Sequence, residues 1–185
     1  MKPRAVIGVD GGLNGAFAIV DEDNELVDYW DMPIIVDSRK ITRGPKKGKV
    51  TTKRKFDPRG MFDELEGRVM QLTGTYYLES YIEVAHAMPQ QGVSSTFKTG
   101  EGYGLIQMLV VSLGLDCNYV RAVEWQKAMT RSNVKGDTKE RSLKRASDMF
   151  PDLVLTKPRG RVLSLDGRSD AALIAAYGIK IKGTK

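Results

Sequence analysis

The chain opens with three short apolar runs separated only by turn residues. "AVIGVD" (Ala5–Asp10) leads through "GGLNG" into "AFAIV", and the polar turn "DEDN" leads on to "ELVDYW". The last two runs read as strands of an antiparallel hairpin. Two later strand patterns, "YLESYIEVA" and "CNYVRAV", are each preceded by a helical pattern, which is the connection parallel strands need. The first of these helices, "DPRGMFDELEGRVMQL", has Asp57 as N-cap and Met61, Leu65, Val69 and Leu72 on one stripe. The order β-β-β-α-β-α-β-α, with further helices at the end, specifies an α/β fold. Its central sheet is mixed, an antiparallel hairpin plus parallel strands, and helices flank it. A length of 185 residues suits one domain, and neither a repeat nor a second domain is visible.

Carboxylates stand where this arrangement makes them costly. Asp10 ends the first strand, and Glu83 lies in an apolar strand with no cation nearby in sequence. If the first and fourth strands lie side by side, about 4.8 Å apart, both residues fall at the same sheet end. "LSLDGRSDAALIAAYG" then places Asp166 and Asp170 four residues apart at the start of an alanine-rich helix. One aspartate there caps free N–H groups and opposes the helix dipole. A second, on the same face, repels the first unless a cation lies between them. Two readings stand for each motif: capping or a metal site for the aspartates, a distant salt bridge or a metal site for Glu83.

With one cysteine (Cys117) and one histidine (His86), the chain has neither an intramolecular disulfide nor the ligands for a structural zinc site. A bound metal would need oxygen ligands, which points to magnesium or manganese. The lone cysteine fits a reducing, intracellular compartment. The basic "MKPR" start runs into a strand pattern rather than a signal peptide, and no segment has the length of a membrane span. The net charge of +6 is concentrated: residues 38–55 hold nine Lys and Arg and no acid, and the remainder of the chain is net −3. Rich in glycine, proline and threonine, that segment reads as a loop, either solvated or in contact with nucleic-acid phosphates.

Taken together, these residues resemble a known family. "VIGVDGGLNGAFAIV" is similar to the first hairpin of the RNase H-like superfamily, whose first strand ends in a metal-binding aspartate. "YIEVAHAMPQQGVSSTFKTGEGYGL" resembles the strand glutamate, loop and glycine-containing helix of RuvC-type Holliday-junction resolvases. "LDGRSDAALIAAYG" is similar to their two C-terminal aspartates opening a helix. The four-residue spacing, with "GR" after the first aspartate, is nearest to chloroplast-type and some phage-type resolvases. Bacterial RuvC commonly has a spacing of three and a histidine near the last aspartate, which this chain lacks. Actin- and sugar-kinase-type ATPases share a similar first hairpin but need two lobes, for which the chain is too short.

The resemblance implies a single RNase H-like domain over residues 1–185, acting as a crossover junction endodeoxyribonuclease. Asp10, Glu83, Asp166 and Asp170 would be both catalytic residues and ligands of two magnesium ions, with manganese as a substitute. One ion would activate a water for in-line attack and the other would stabilise the leaving 3′ oxygen, giving 5′-phosphate products. The partner would be a four-way DNA junction, without nucleotide cofactor or membrane, inside a bacterial or phage-infected cell or an organelle after removal of a transit peptide. Lys127 and Lys139 fall where the resemblance puts basic residues near the scissile phosphate, although plain surface lysines fit the same pattern. DNA contacts are expected from Lys46, Lys47, Lys53, Arg54 and Lys55, and from Phe97 and Lys98 in the loop "QQGVSSTFKTG". There Phe97 either stacks on a base or packs under the loop. Cutting two strands calls for a homodimer, for which the apolar helix bearing Leu105, Ile106, Leu109, Val110 and Leu113 offers surface unless it is wholly core. A nuclease for RNA–DNA hybrids or flaps, and a non-catalytic junction-binding protein, are the other function classes.

Overall fold

The computed structural model describes residues 2–130, 137–155 and 166–182. In chain order the elements are β1 (Arg4–Asp10), β2 (Ala16–Asp21), β3 (Leu26–Asp31), β4 (Ile34–Lys40), β5 (Val50–Phe56), α1 (Pro58–Leu72), β6 (Tyr77–Glu83), α2 (Val93–Ser112), β7 (Asp116–Val120), α3 (Ala122–Met129), α4 (Thr138–Met149) and α5 (Asp166–Lys182). A five-stranded sheet runs β3-β2-β1-β6-β7. Strands β1, β2 and β3 are antiparallel neighbours, and β6 and β7 join in parallel, so the sheet is mixed as expected. None of the described helices is long and apolar enough to cross a membrane.

The central strand β1 is apolar on both faces because both are covered. Ala5, Ile7 and Val9 enter a core with α1 and α2, while Val6 on the opposite face enters a core with α3, α4 and α5. Tyr81 and Ile82 of β6 divide between the same two cores, in keeping with their alternation. Helix α1 has the expected cap: Gly60 N–H donates to Asp57 Oδ1 at 3.1 Å, and Met61, Leu65 and Val69 are buried.

Helix α5 lies directly on the sheet. Ala171, Ala172, Ala175 and Ala176 are fully buried. Opposite them Gly8 has no side chain, and a Cβ there would stand 2.1 Å from Ala171 O and 2.4 Å from Ala175 N. Backbone therefore meets backbone. The far end of α5 is tied by a buried carboxylate: Glu79, with no solvent exposure, pairs with Arg4 at 3.0 Å and with Lys182. Arg4 also donates to Ile179 O at 2.7 Å.

Two expectations are corrected. Residues 38–55 are not a loop throughout, because β4 and β5 form an antiparallel ribbon with Ile34 opposite Phe56 and Lys40 opposite Val50. The β-branched residues Ile34, Ile35, Val36, Val50, Thr51 and Thr52 favour strands. The turn-forming residues are confined to the tip at 41–49, where Gly44 and Gly48 adopt positive φ. Helix α2 begins at Val93, so Phe97 and Lys98 are helical rather than in a loop. Its glycines do not stop it. Gly102 meets the Phe56 ring so closely that a Cβ would lie 2.3 Å from Cζ, and that packing outweighs the low helix propensity of glycine.

The contact between Gly8 and α5 has a measurable cost when filled. Gly8→Ala should destabilise the fold by about 3 kcal/mol in urea unfolding, because neither backbone can yield without displacing its whole element.

Candidate active site

Three elements bring the four carboxylates to one sheet end. The parallel register sets Val9 of β1 opposite Ile82 of β6, one residue before Asp10 and Glu83. Helix α5 crosses above with Asp166 and Asp170 in its first turns. Its entry is tight: a Cβ on Gly167 would stand 2.3 Å from Asn14 O and 2.6 Å from Gly15 Cα. Asp10 and Glu83 line a cleft of about 450 Å³ with Gly11, Gly12, His86 and Lys98.

Burial and mutual repulsion govern the ionisation of this group. Asp10 is raised to about 6, first by burial and then by the charge of Glu83, against a contact from Gly12 N–H at 3.4 Å. Asp170 is raised to about 7 by burial, then by Asp10 and Glu83, with the Ser142 hydroxyl opposing. Burial also raises Glu83, while the Trp125 indole N–H, 2.6 Å from Oε2, lowers it and His86 draws it down further. Lys139 pairs with Asp166 at 2.6 Å. Helix α4 thus sends Lys139 and Ser142, three residues apart, to the two aspartates of α5.

The carboxylates sense one another without converging on one point. Among the described residues, no three His, Cys, Asp or Glu side chains are grouped closely enough to hold a metal ion as they stand. Lys139 and Trp125 each engage one oxygen of the set. The donor chemistry nevertheless fits a hard divalent cation: every candidate ligand is an oxygen, and Asp170 Oδ1 is buried without a hydrogen-bond partner.

The remaining sequence candidates lie at varying distances from this centre. Lys127 is exposed on α3, two residues and about 200° around the helix from Trp125, so it does not join the cluster. Phe97 is 73% exposed rather than packed under a loop. Lys46 and Lys47 are exposed at the ribbon tip, and Lys53 and Lys55 are exposed along β5. Arg54 points the other way and donates to Asn14 Oδ1 at 2.6 Å and Leu13 O at 2.5 Å.

Sequence reasoning did not single out Trp125, Ser142 or Arg168. Arg168 forms a two-pronged pair with Asp31 at 2.5 and 2.8 Å, which anchors the first turn of α5 to the end of β3. Its place between the two aspartates was the available signal. Trp125 sits in "EWQKAM", two residues before Lys127, where an indole N–H in need of a partner was the clue.

No protein-family model and no curated protein matches the chain. Among solved structures it is similar to T. thermophilus RuvC in complex with Holliday junction substrate, at 12% identity, with a TM-score of 0.51 and 96% of each chain covered. The fold is RNase H-like. A second Thermus thermophilus RuvC structure aligns over the same shares at 13% identity, with a TM-score of 0.48. In this RNase H-like fold the sheet is mixed and flanked by helices, as the element order required.

The raised carboxyls carry a signed consequence for stability. Well below their ordinary value of 3.8 both are protonated in the folded and unfolded chains and cost nothing. As pH rises through 6 and 7 the unfolded chain is already ionised, while the fold must give up protons it favours, so stability is lost. In EDTA the melting temperature should fall between pH 5 and pH 8. At pH 8 Asp170→Asn should raise the unfolding free energy by an amount on the order of 2 kcal/mol, with little effect at pH 4.

Proposed function

We propose that the chain is a metal-dependent endonuclease that resolves four-way DNA junctions, RuvC-like and nearest in type to the chloroplast and phage resolvases. The reading covers residues 1–185 as one catalytic domain working inside the cell. The observation that carries it is the meeting of Asp10, Glu83, Asp166 and Asp170 from β1, β6 and α5, with Asp10 and Asp170 held near pKa 6 and 7. A divalent cation would remove the repulsion that raises these carboxyls. The similar T. thermophilus protein is described with a Holliday junction substrate, which favours branched DNA over other phosphodiesters.

Asp10, Glu83, Asp166 and Asp170 would hold the ions. Magnesium held there, two ions per site with manganese as substitute, would supply water activation and charge compensation for the leaving group. The protein's own residues prepare that arrangement. Trp125 fixes the plane of Glu83, Ser142 orients Asp170, and Lys139 holds Asp166 where a phosphate can approach. Lys46, Lys47, Lys53 and Lys55 on the ribbon neutralise phosphates along a DNA arm. Phe97 stacks on a base near the crossover beside Lys98. Lys127, exposed on α3, contacts DNA outside the carboxylate cluster.

The test offers the protein a four-way junction, linear duplex, flap and RNA–DNA hybrid, each with magnesium or EDTA. Only the junction should be cut, and only with magnesium. Asp10→Asn, Glu83→Gln, Asp166→Asn and Asp170→Asn should each lower cleavage by orders of magnitude while junction binding persists. Cleavage of the hybrid in place of the junction would select the other nuclease reading.

Two opposed cuts require two sites, so the acting species is a homodimer. Ile106, Leu109 and Val110 are spent on the core, and Leu105 and Leu113 are packed against it. The dimer face is therefore the exposed stripe of α2 bearing Met108 (66% exposed) and Val111 (57% exposed), three residues apart on one helical face. Met108→Arg should sediment as a monomer and nick junctions without resolving them. A monomer that still makes paired cuts would exclude this assembly.

A further inference from the structure

Arg54 lies between Lys53 and Lys55 in the most basic stretch of the chain, yet its surroundings differ from theirs. Strand alternation turns it toward the body of the protein, on the same ribbon face as the buried Phe56. Its guanidinium spans two consecutive residues, donating to Leu13 O and Asn14 Oδ1. Its Nε is buried without a hydrogen-bond partner, and the residue is half-buried where Lys53 and Lys55 are exposed. A planar fork reaches two acceptors at once, which a lysine ammonium cannot do in the same geometry.

The turn that Arg54 grips is the one that sets the carboxylates. It begins at Asp10, contains Gly11, Gly12 and Gly15, and closes through Gly15 N–H to Gly12 O at 2.8 Å. Gly12 N–H faces Asp10 Oδ1. On its other side Gly167, between Asp166 and Asp170 in sequence, rests on Asn14 O and Gly15. A segment so rich in glycine has little conformational preference of its own and takes its shape from what holds it. Arg54 is the side chain that holds it from the ribbon side.

We infer that Arg54 is a positioning residue that clamps the 13–14 turn between the β4–β5 ribbon and α5, rather than a phosphate contact. The neighbouring lysines set affinity for DNA and Arg54 sets the rate. The rate readout rests on the nuclease reading above; the clamp itself does not.

Three variants separate these roles. Arg54→Met removes the fork and the charge. Asn14→Ala removes one acceptor with no change of charge. Lys53→Ser removes an outward lysine. Junction affinity is measured across salt concentrations, the single-turnover cleavage rate at saturating protein, and amide exchange at Gly15 without DNA. Arg54→Met and Asn14→Ala should leave the salt slope unchanged, cut the rate at least tenfold and speed Gly15 exchange at least tenfold. Lys53→Ser should reduce the slope by about 0.9 and leave Gly15 exchange alone. A drop of about 0.9 in slope for Arg54→Met, with normal rate and exchange, would overturn the inference. So would normal exchange in Asn14→Ala, which stays informative if Arg54→Met does not fold. If the wild type cuts no junction but Gly15 exchange responds as stated, the nuclease reading fails and the clamp stands.

Discussion

The contact on which this structure depends is the one between two backbones, β1 at Gly8 and α5 at Ala171 and Ala175. No side chain separates them. Helix α5 therefore sits lower on the sheet than a helix packed through leucines would, and its N-terminal turns reach the plane of the strand ends. Asp166 and Asp170 meet Asp10 because of that depth. The alanines that look like neutral filler in "SDAALIAAYG" set the height of the carboxylates above the sheet. Packing and chemistry share one seam.

What gathers at the end of that seam works against the fold. Asp10 is raised by burial and by Glu83, Asp170 by burial and by Asp10, and Asp170 keeps an oxygen with no partner. The compensation is distributed. Lys139, Ser142, Trp125 and Gly12 N–H each relieve part of the charge locally. Arg168 fastens the start of α5 to Asp31, and Arg4 and Lys182 fasten its end through Glu79. The helix is held at both ends, while its carboxylates would, alone, push it away from the strands.

Much of this was legible in the sequence. The five strands of the central sheet, the adjacency of β1 and β6 and the joint position of Asp10 and Glu83 followed from periodicity and the order of elements, which act over short stretches of chain. The position of α5 followed from two aspartates that make poor sense as caps alone. The ribbon was missed because turn residues concentrated in its tip coloured the whole basic segment, although Val50, Thr51 and Thr52 are good strand formers. The early start of α2 was missed because "VSSTFKT", residues 93–99, is made mostly of β-branched and hydroxyl side chains, which are weak helix formers on their own. Trp125 and Ser142 were missed for a different reason. Their roles come from neighbours distant in sequence, and no local pattern encodes those. Arg54 shows the limit best, since among lysines its charge suggested a ligand outside while its geometry points inward.

The ribbon has one further property that follows from its size. A sheet of two strands consists of edges alone, and each edge offers unpaired peptide groups to any other strand. Lys53 and Lys55, together with Arg39 and Lys40, keep like copies apart by repulsion, as lysines on edge strands do elsewhere. The positive charge is thus also a guard against self-association, and its strength depends on what else is in solution. When a polyanion neutralises the ribbon without covering its edges, that guard is lowered. Short anionic oligomers should thicken a clear solution of this protein into a turbid one sooner than long duplexes that bury the ribbon whole.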